Sequence, residues 1–177
     1  MSQKLPAGSK FPEITVSTID GGELDLGKPA ENRDWSMIVV YRGKHCPICT
    51  RYLGQLEGLK DEFHQAGVDV QVVSGDPKEK AEAHMADIGV SFPVGYGLSV
   101  EQMAKLGLYI SDPRSPKETD RPFPEPGLFV INGDGNVQLL DISNGPFARP
   151  ELQSVLNGLK FIRNPENNYP IRGTHQP

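Results

Sequence analysis

The stretch Val39-Val40-Tyr41-Arg42-Gly43-Lys44-His45-Cys46-Pro47-Ile48-Cys49-Thr50 decides how this chain folds. Leading into it, Trp35-Ser36-Met37-Ile38-Val39-Val40-Tyr41 is a nearly continuous apolar run of strand length. Such a run suits a central strand covered on both faces. Beyond it, Leu53, Leu56, Leu59 and Phe63 recur at helical spacing until Gly67 stops the helix. The order is buried strand, short loop, Cys-x-x-Cys, amphipathic helix. Cys46 and Cys49 are the only two cysteines of the chain. Two cysteines do not make a disulfide scaffold, and a pair this close closes too small a loop to brace a fold. Chemistry explains the pair better than structure does.

Working outward, Val68 to Val73 alternates as a second strand, and Asp76 with Glu79 reads as a capping box with Pro77 at the first helical position. That helix runs to about Ile88. Ser99 and Gln102 repeat the capping signal before a short helix ending near Gly107. Residues 111–126 are Pro-rich and charged and read as an ordered surface loop. Leu128–Ile131 and Val137–Ile142 form a hairpin around Gly133-Asp134-Gly135, and Pro150 opens a last helix through about Ile162. Ahead of the decisive stretch, Ile14–Ile19 and Leu24–Leu26 flank the turn Asp20-Gly21-Gly22. This alternation predicts an α/β protein with a mixed central β-sheet flanked by helices. It is the thioredoxin fold with an N-terminal β-hairpin extension. Residues 1–163 make one domain, and residues 164–177 a polar tail.

Composition narrows the function. The chain has 177 residues, enough for one core, with 37% hydrophobic and 23% charged residues. Its net charge of −5 comes from interspersed acids and bases, which argues against nucleic acid as a partner. No apolar run approaches the roughly 20 residues of a membrane span, so no membrane partner is expected. The first residues lack the apolar core of a secretory signal, which makes the cytoplasm the expected location.

The pair has a physical reason to be reactive. The thiolate is the working form of cysteine, and a helix N-terminus favours it through unpaired N–H groups and the helix dipole. With Pro47 as the first helical residue, Cys46 falls at the N-cap and Cys49 one turn inside, within reach of a disulfide. Arg42, Lys44 and His45 add positive or protonatable neighbours. No second Cys-x-x-Cys or spaced His pair completes a metal site, so neither metal nor cofactor is expected. His64, His84 and His175 are scattered and read as surface residues.

The segment Val39–Thr50 resembles the active-site segment of the AhpC/TSA, peroxiredoxin-like family. Ala7-Gly8-Ser9-Lys10-Phe11-Pro12-Glu13-Ile14, with Asp20-Gly21 and Leu24, resembles that family's N-terminal hairpin, and Gly127–Gly135 its late strand and turn. The resemblance implies an enzyme, a thiol-dependent peroxidase with a redox-active disulfide. It would reduce hydroperoxides through a sulfenic acid and a Cys46–Cys49 disulfide, recycled by a thioredoxin- or glutathione-type reductant. A homodimer is compatible with it.

The family spacing Pro-x-x-x-Thr-x-x-Cys puts Cys49 in the peroxidatic place, with Arg42 in place of the Pro and Cys46 in place of the Thr. The family's distant Arg falls at Pro126, leaving Arg42, Arg114 or Arg121 as replacements. The same departures suit a thioredoxin-like disulfide reductase, in which an exposed Cys46 attacks a protein disulfide and Pro126 takes the place of a cis-proline beside the sulfurs. A redox sensor or binding module without catalysis is the reading from another class.

Overall fold

The computed structural model describes residues 3–177. Strand β1 (Thr15–Thr18) and β2 (Glu23–Asp25) form the N-terminal hairpin. Then follow β3 (Trp35–Val40), α1 (Pro47–Gln65), β4 (Val68–Val73), α2 (Lys78–Ile88), β5 (Val94–Tyr96) and α3 (Val100–Lys105). A two-stranded ribbon of β6 (Ile110–Ser111) and β7 (Phe123–Pro124) comes next, then β8 (Gly127–Ile131), β9 (Val137–Ile142) and α4 (Leu152–Arg163).

Seven strands share one sheet in the order β2-β1-β5-β4-β3-β8-β9. β3 pairs parallel with β4 and antiparallel with β8, so it lies at the centre. Its side chains alternate between two cores: Met37, Val39 and Tyr41 pack with α1 and α4, whereas Ile38 and Val40 pack with Met103, Leu106 and Phe129 on the other face. Helix α1 buries Leu53, Leu56 and Phe63, and α4 buries Leu152, Val155, Leu156 and Leu159, against the same sheet face. Each such side chain contributes about 1.5–3 kcal/mol on burial. Helix and sheet are thereby clamped, and the strand-to-helix turn between them is held in one place.

The fold is the predicted α/β thioredoxin fold, with local differences. The N-terminal hairpin does not stand apart: β1 pairs with β5, a short strand the sequence pattern does not reveal, and so extends the central sheet. Asp76 does not cap α2, whose N-cap is Pro77 with no side-chain bond. Its carboxylate instead accepts the Lys44 N–H at 2.8 Å. The Ser99–Gln102 capping box is present as expected. The Pro-rich stretch is only partly a surface loop, because Thr119, Phe123 and Glu125 in it are buried and its ends pair as β6 and β7. The last helix begins two residues after Pro150, at Leu152. In the tail, a 3-10 turn at Pro165–Asn167 and the edge-to-face pair Phe161–Tyr169 fold the chain back against α4. No helix is long and apolar enough to cross a membrane among the described residues.

Candidate functional site

β3 delivers the sulfurs to a helix start. The Tyr41 N–H makes the last rung to Val73 at 3.1 Å, and the chain then turns through Gly43 at φ 144. A side chain at Gly43 would meet the Asp76 carboxylate at 2.8 Å and the His45 ring at 2.9 Å, so only glycine fits here. The Cys46 N–H closes the turn on Gly43 O at 3.2 Å, and the Thr50 N–H bonds Cys46 O at 3.1 Å as the first helical bond. Cys46 is therefore the N-cap, with Pro47 at the first position of α1. Its sulfur does what an N-cap oxygen usually does, accepting the Cys49 N–H at 3.3 Å.

The electrostatics separate the two thiols. Cys46 is pulled down to about 5, first by a hydrogen bond from the Cys49 thiol and then, against its burial, by the Cys49 N–H and by Arg42. Cys49 is pushed the other way, because its proton is committed to Cys46 and its surroundings are apolar; the positive charge of Arg149 offsets part of this. Both shifts favour the anion on Cys46 over Cys49. Both thiols are free and buried, Cys46 1% and Cys49 0% exposed. This corrects the expectation of an exposed attacking sulfur: Cys46 is enclosed in the apolar cluster that includes Met37, Val39, Leu53 and Leu128.

Arg42 links this turn to the ribbon β6–β7. Its Nε donates to the two Glu125 oxygens at 2.6 and 3.2 Å, and its charge favours the Cys46 thiolate. Burial opposes its charge, but Cys46 and Glu125 together raise its pKa. Glu125, 3% exposed, is raised by burial against the pull of Arg42. The guanidinium also lies 4.9 Å from the Phe123 ring centroid, and His45 packs edge-on to the same ring at 4.5 Å. Burial first and Arg42 second lower the His45 pKa, so near neutral pH it adds no charge to the thiolate. Behind the turn, His84 is buried rather than on the surface, its Nε2 2.7 Å from Thr50 Oγ1. His64 is likewise half-buried, 3.5 Å from Asp69.

The structure brings together Cys46, Cys49, Arg42 and His45. It leaves out Arg114, which pairs with Glu118 on the surface, and Arg121, which pairs with Asp120. Pro126 is near, lining a small recess with Val39, Tyr52, Asp141, Arg149 and Pro150. It is not a cis-proline, since no peptide bond among the described residues is cis. Its carbonyl accepts the Ser143 N–H at 3.1 Å, which continues the β8–β9 ladder and commits this backbone to an extended path.

The residue that sequence reasoning missed is Arg149. Its Nε donates to Pro146 O at 3.0 Å, its guanidinium lies 4.7 Å from the Tyr52 ring centroid, and both terminal nitrogens are buried without a protein partner. Beside it, burial raises the Tyr52 phenol to about 12, and that phenol donates to Pro150 O at 2.7 Å. Among the described residues no group of three or more His, Cys, Asp or Glu is placed to hold a metal ion.

A mixed sheet of this order, with a thiol pair at a strand-to-helix junction, defines a thioredoxin-fold protein. The sequence model of the AhpC/TSA family matches residues 7–140, and the chain belongs to that family. It is 24% identical over 142 residues to a 1-Cys peroxiredoxin of Medicago truncatula, covering 76% of this chain and 63% of that one. It is 25% identical over 89 residues to the thiol-disulfide oxidoreductase ResA of Halalkalibacterium halodurans, covering 50% of this chain and 49% of that one. The chain thus spans less than two thirds of the length of the curated relatives it matches. Among solved structures, a peroxiredoxin-like protein from Aquifex aeolicus superposes with a TM-score of 0.74 at 21% identity, over 89% of this chain and 88% of that one.

Proposed function

We propose that this chain is a thiol-dependent peroxidase in which Cys46 attacks and Cys49 resolves. The observation that carries this reading is the capping geometry: the Cys46 sulfur accepts the Cys49 N–H, lies beside Arg42 and ionises near 5. The family spacing points instead to Cys49 as the attacking sulfur, but Cys49 lacks a cap position and is held protonated.

In the first step the Cys46 thiolate forms an S–O bond to the hydroperoxide, the O–O bond breaks, and the alkoxide or hydroxide leaves and takes up a proton. Cys46 becomes a sulfenic acid, oxidised by two electrons. Cys49 then attacks that sulfur, an S–S bond forms, and water leaves carrying the Cys49 proton. A thioredoxin- or glutathione-type dithiol or thiol pair supplies the two electrons that reopen the disulfide. The cytoplasm, where such reductants are kept reduced, suits this cycle.

Similarity to a thiol-disulfide oxidoreductase favours a second reading, reduction of a protein disulfide by the same Cys46. The enclosure of the sulfur weighs against it, since a protein disulfide needs far more room than a hydroperoxide. The test is one equivalent of hydrogen peroxide added to reduced protein with a sulfenic acid trap. Cys49→Ser should accumulate trapped adduct on Cys46, and the unmodified pair should turn over with a thioredoxin system. Adduct on Cys49 in Cys46→Ser alone, or no peroxide consumption, would overturn the assignment.

A further inference from the structure

The ribbon β6–β7 is fastened at three places. At its base, Ile110 pairs with Pro124 and Ser111 with Phe123, and the Glu125 N–H bonds Tyr109 O at 2.8 Å. At its far end, Lys80 of α2 bonds Thr119 at 3.3 Å and pairs with Asp120 at 3.7 Å. Over the turn, the fastening is Glu125, which takes Arg42 on both oxygens and the Ser111 hydroxyl at 3.3 Å. Phe123 packs against both Arg42 and His45, two residues of the segment that leads into Cys46. The far end is held to α2, and over the turn both Glu125, through its carboxylate, and Phe123, through its ring, couple the ribbon to Arg42.

We propose that Glu125 is the specificity-determining residue of this site: by holding Arg42 it keeps Phe123 packed against the segment that leads into Cys46, so that small hydroperoxides reach the sulfur and bulky hydroperoxides and protein disulfides do not. This rests on the peroxidase reading for its substrates but not for the barrier itself. An ion pair this enclosed holds its geometry because freeing either partner would leave a buried charge unpaired. Size exclusion is thereby built from a charge pair rather than from an immobile wall.

The barrier can be measured without turnover. In a Cys49→Ser background, reduced protein is alkylated with iodoacetamide and with an N-pyrenyl maleimide, and the ratio of the two rate constants is taken. Both reagents draw on the same thiolate, so a change in Cys46 acidity cancels in the ratio. Glu125→Gln should raise the bulky-to-small ratio at least tenfold, Ser111→Ala should raise it less, and Glu125→Asp should restore part of the exclusion.

An unchanged ratio in folded Glu125→Gln protein, or an equal ratio in the Asp and Gln variants, would overturn the proposal. If Glu125→Gln does not fold by circular dichroism, Arg42→Lys and Ser111→Ala take the same measurement, and an unchanged ratio in both overturns it. With both cysteines present, hydrogen peroxide and cumene hydroperoxide are then compared. Consumption of neither, with the alkylation ratio shifted as expected, removes the peroxidase reading and leaves the barrier. Equal consumption of both by the unmodified protein removes the barrier.

Discussion

The Cys49 N–H points at the Cys46 sulfur from 3.3 Å, so the second cysteine stabilises the anion of the first through its main chain as well as through its thiol. Cys46 alkylation, followed by peptide mass mapping, should therefore show a midpoint near pH 5. The unfolded chain keeps that proton into the ordinary thiol range near 9 and so binds more protons than the folded chain across the interval. The thiolate's contribution to stability is complete above that range and is lost as pH falls to about 5. Denaturation midpoints of the reduced protein should rise with pH through this window. Cys46→Ser should flatten that rise, and an equally steep rise in the variant would count against a native thiolate.

Arg42 serves two anions at once, and its removal should register in both. Arg42→Met should move the Cys46 alkylation midpoint up by about 1 to 3 pH units, the usual effect of losing an adjacent opposite charge. It should also cost about 3 kcal/mol of stability by stranding the Glu125 carboxylate. Adding Glu125→Gln should recover much of the stability, as read by urea denaturation, while leaving the midpoint above that of the parent.

Gly43 turns where no side chain has room. Gly43→Ala forces a φ of 144 on a residue with a Cβ and drives that atom into Asp76 and His45. A loss of about 1–3 kcal/mol is expected in thermal or chemical unfolding. Asp76→Asn, which keeps the shape and can still accept the Lys44 N–H, should cost less than Asp76→Ala.

Arg149 is placed to act on the second step. Its charge favours the Cys49 anion, so Arg149→Met should lower the fraction of attacking thiolate and slow disulfide closure by about tenfold for each pH unit that the Cys49 pKa rises. Stopped-flow experiments should show a longer-lived sulfenic acid on Cys46, with a smaller change in the first oxidation step. A slowing confined to the first step would move Arg149 to the peroxide side of the mechanism.

The parts of this molecule that could be read from its sequence are those set by local periodicity. The strand Trp35–Val40, the helix after it and the Ser99–Gln102 cap each announce themselves within a few residues. β5, three residues long, is too short to show alternation and exists because β1 and β4 flank it. His84 shares a helix stripe with Ala81 and Met85, and that spacing could have placed it inside. Glu125 and Phe123 were hidden by their setting, because proline and charge signal a loop without revealing what it covers. Arg149 has no local signal at all: it stacks on Tyr52, whose phenol bonds the carbonyl of Pro150 98 residues away in the chain, and the packing of α4 on α1 brings these segments together. The acidity of Cys46 was legible from its place before Pro47; its enclosure was not.

Pro47 carries one more consequence. A helix start ordinarily offers several main-chain donors, and the ring of proline deletes the first of them by covalent structure. The main-chain support of the anion at Cys46 therefore falls to the Cys49 N–H one turn on, and the guanidinium beside it adds to that support. Peptide groups of a packed helix scarcely shift, whereas a guanidinium on a long side chain follows whatever grips it. The nucleophilicity of this sulfur thus has one fixed support, in the helix, and one adjustable support, in a neighbouring segment.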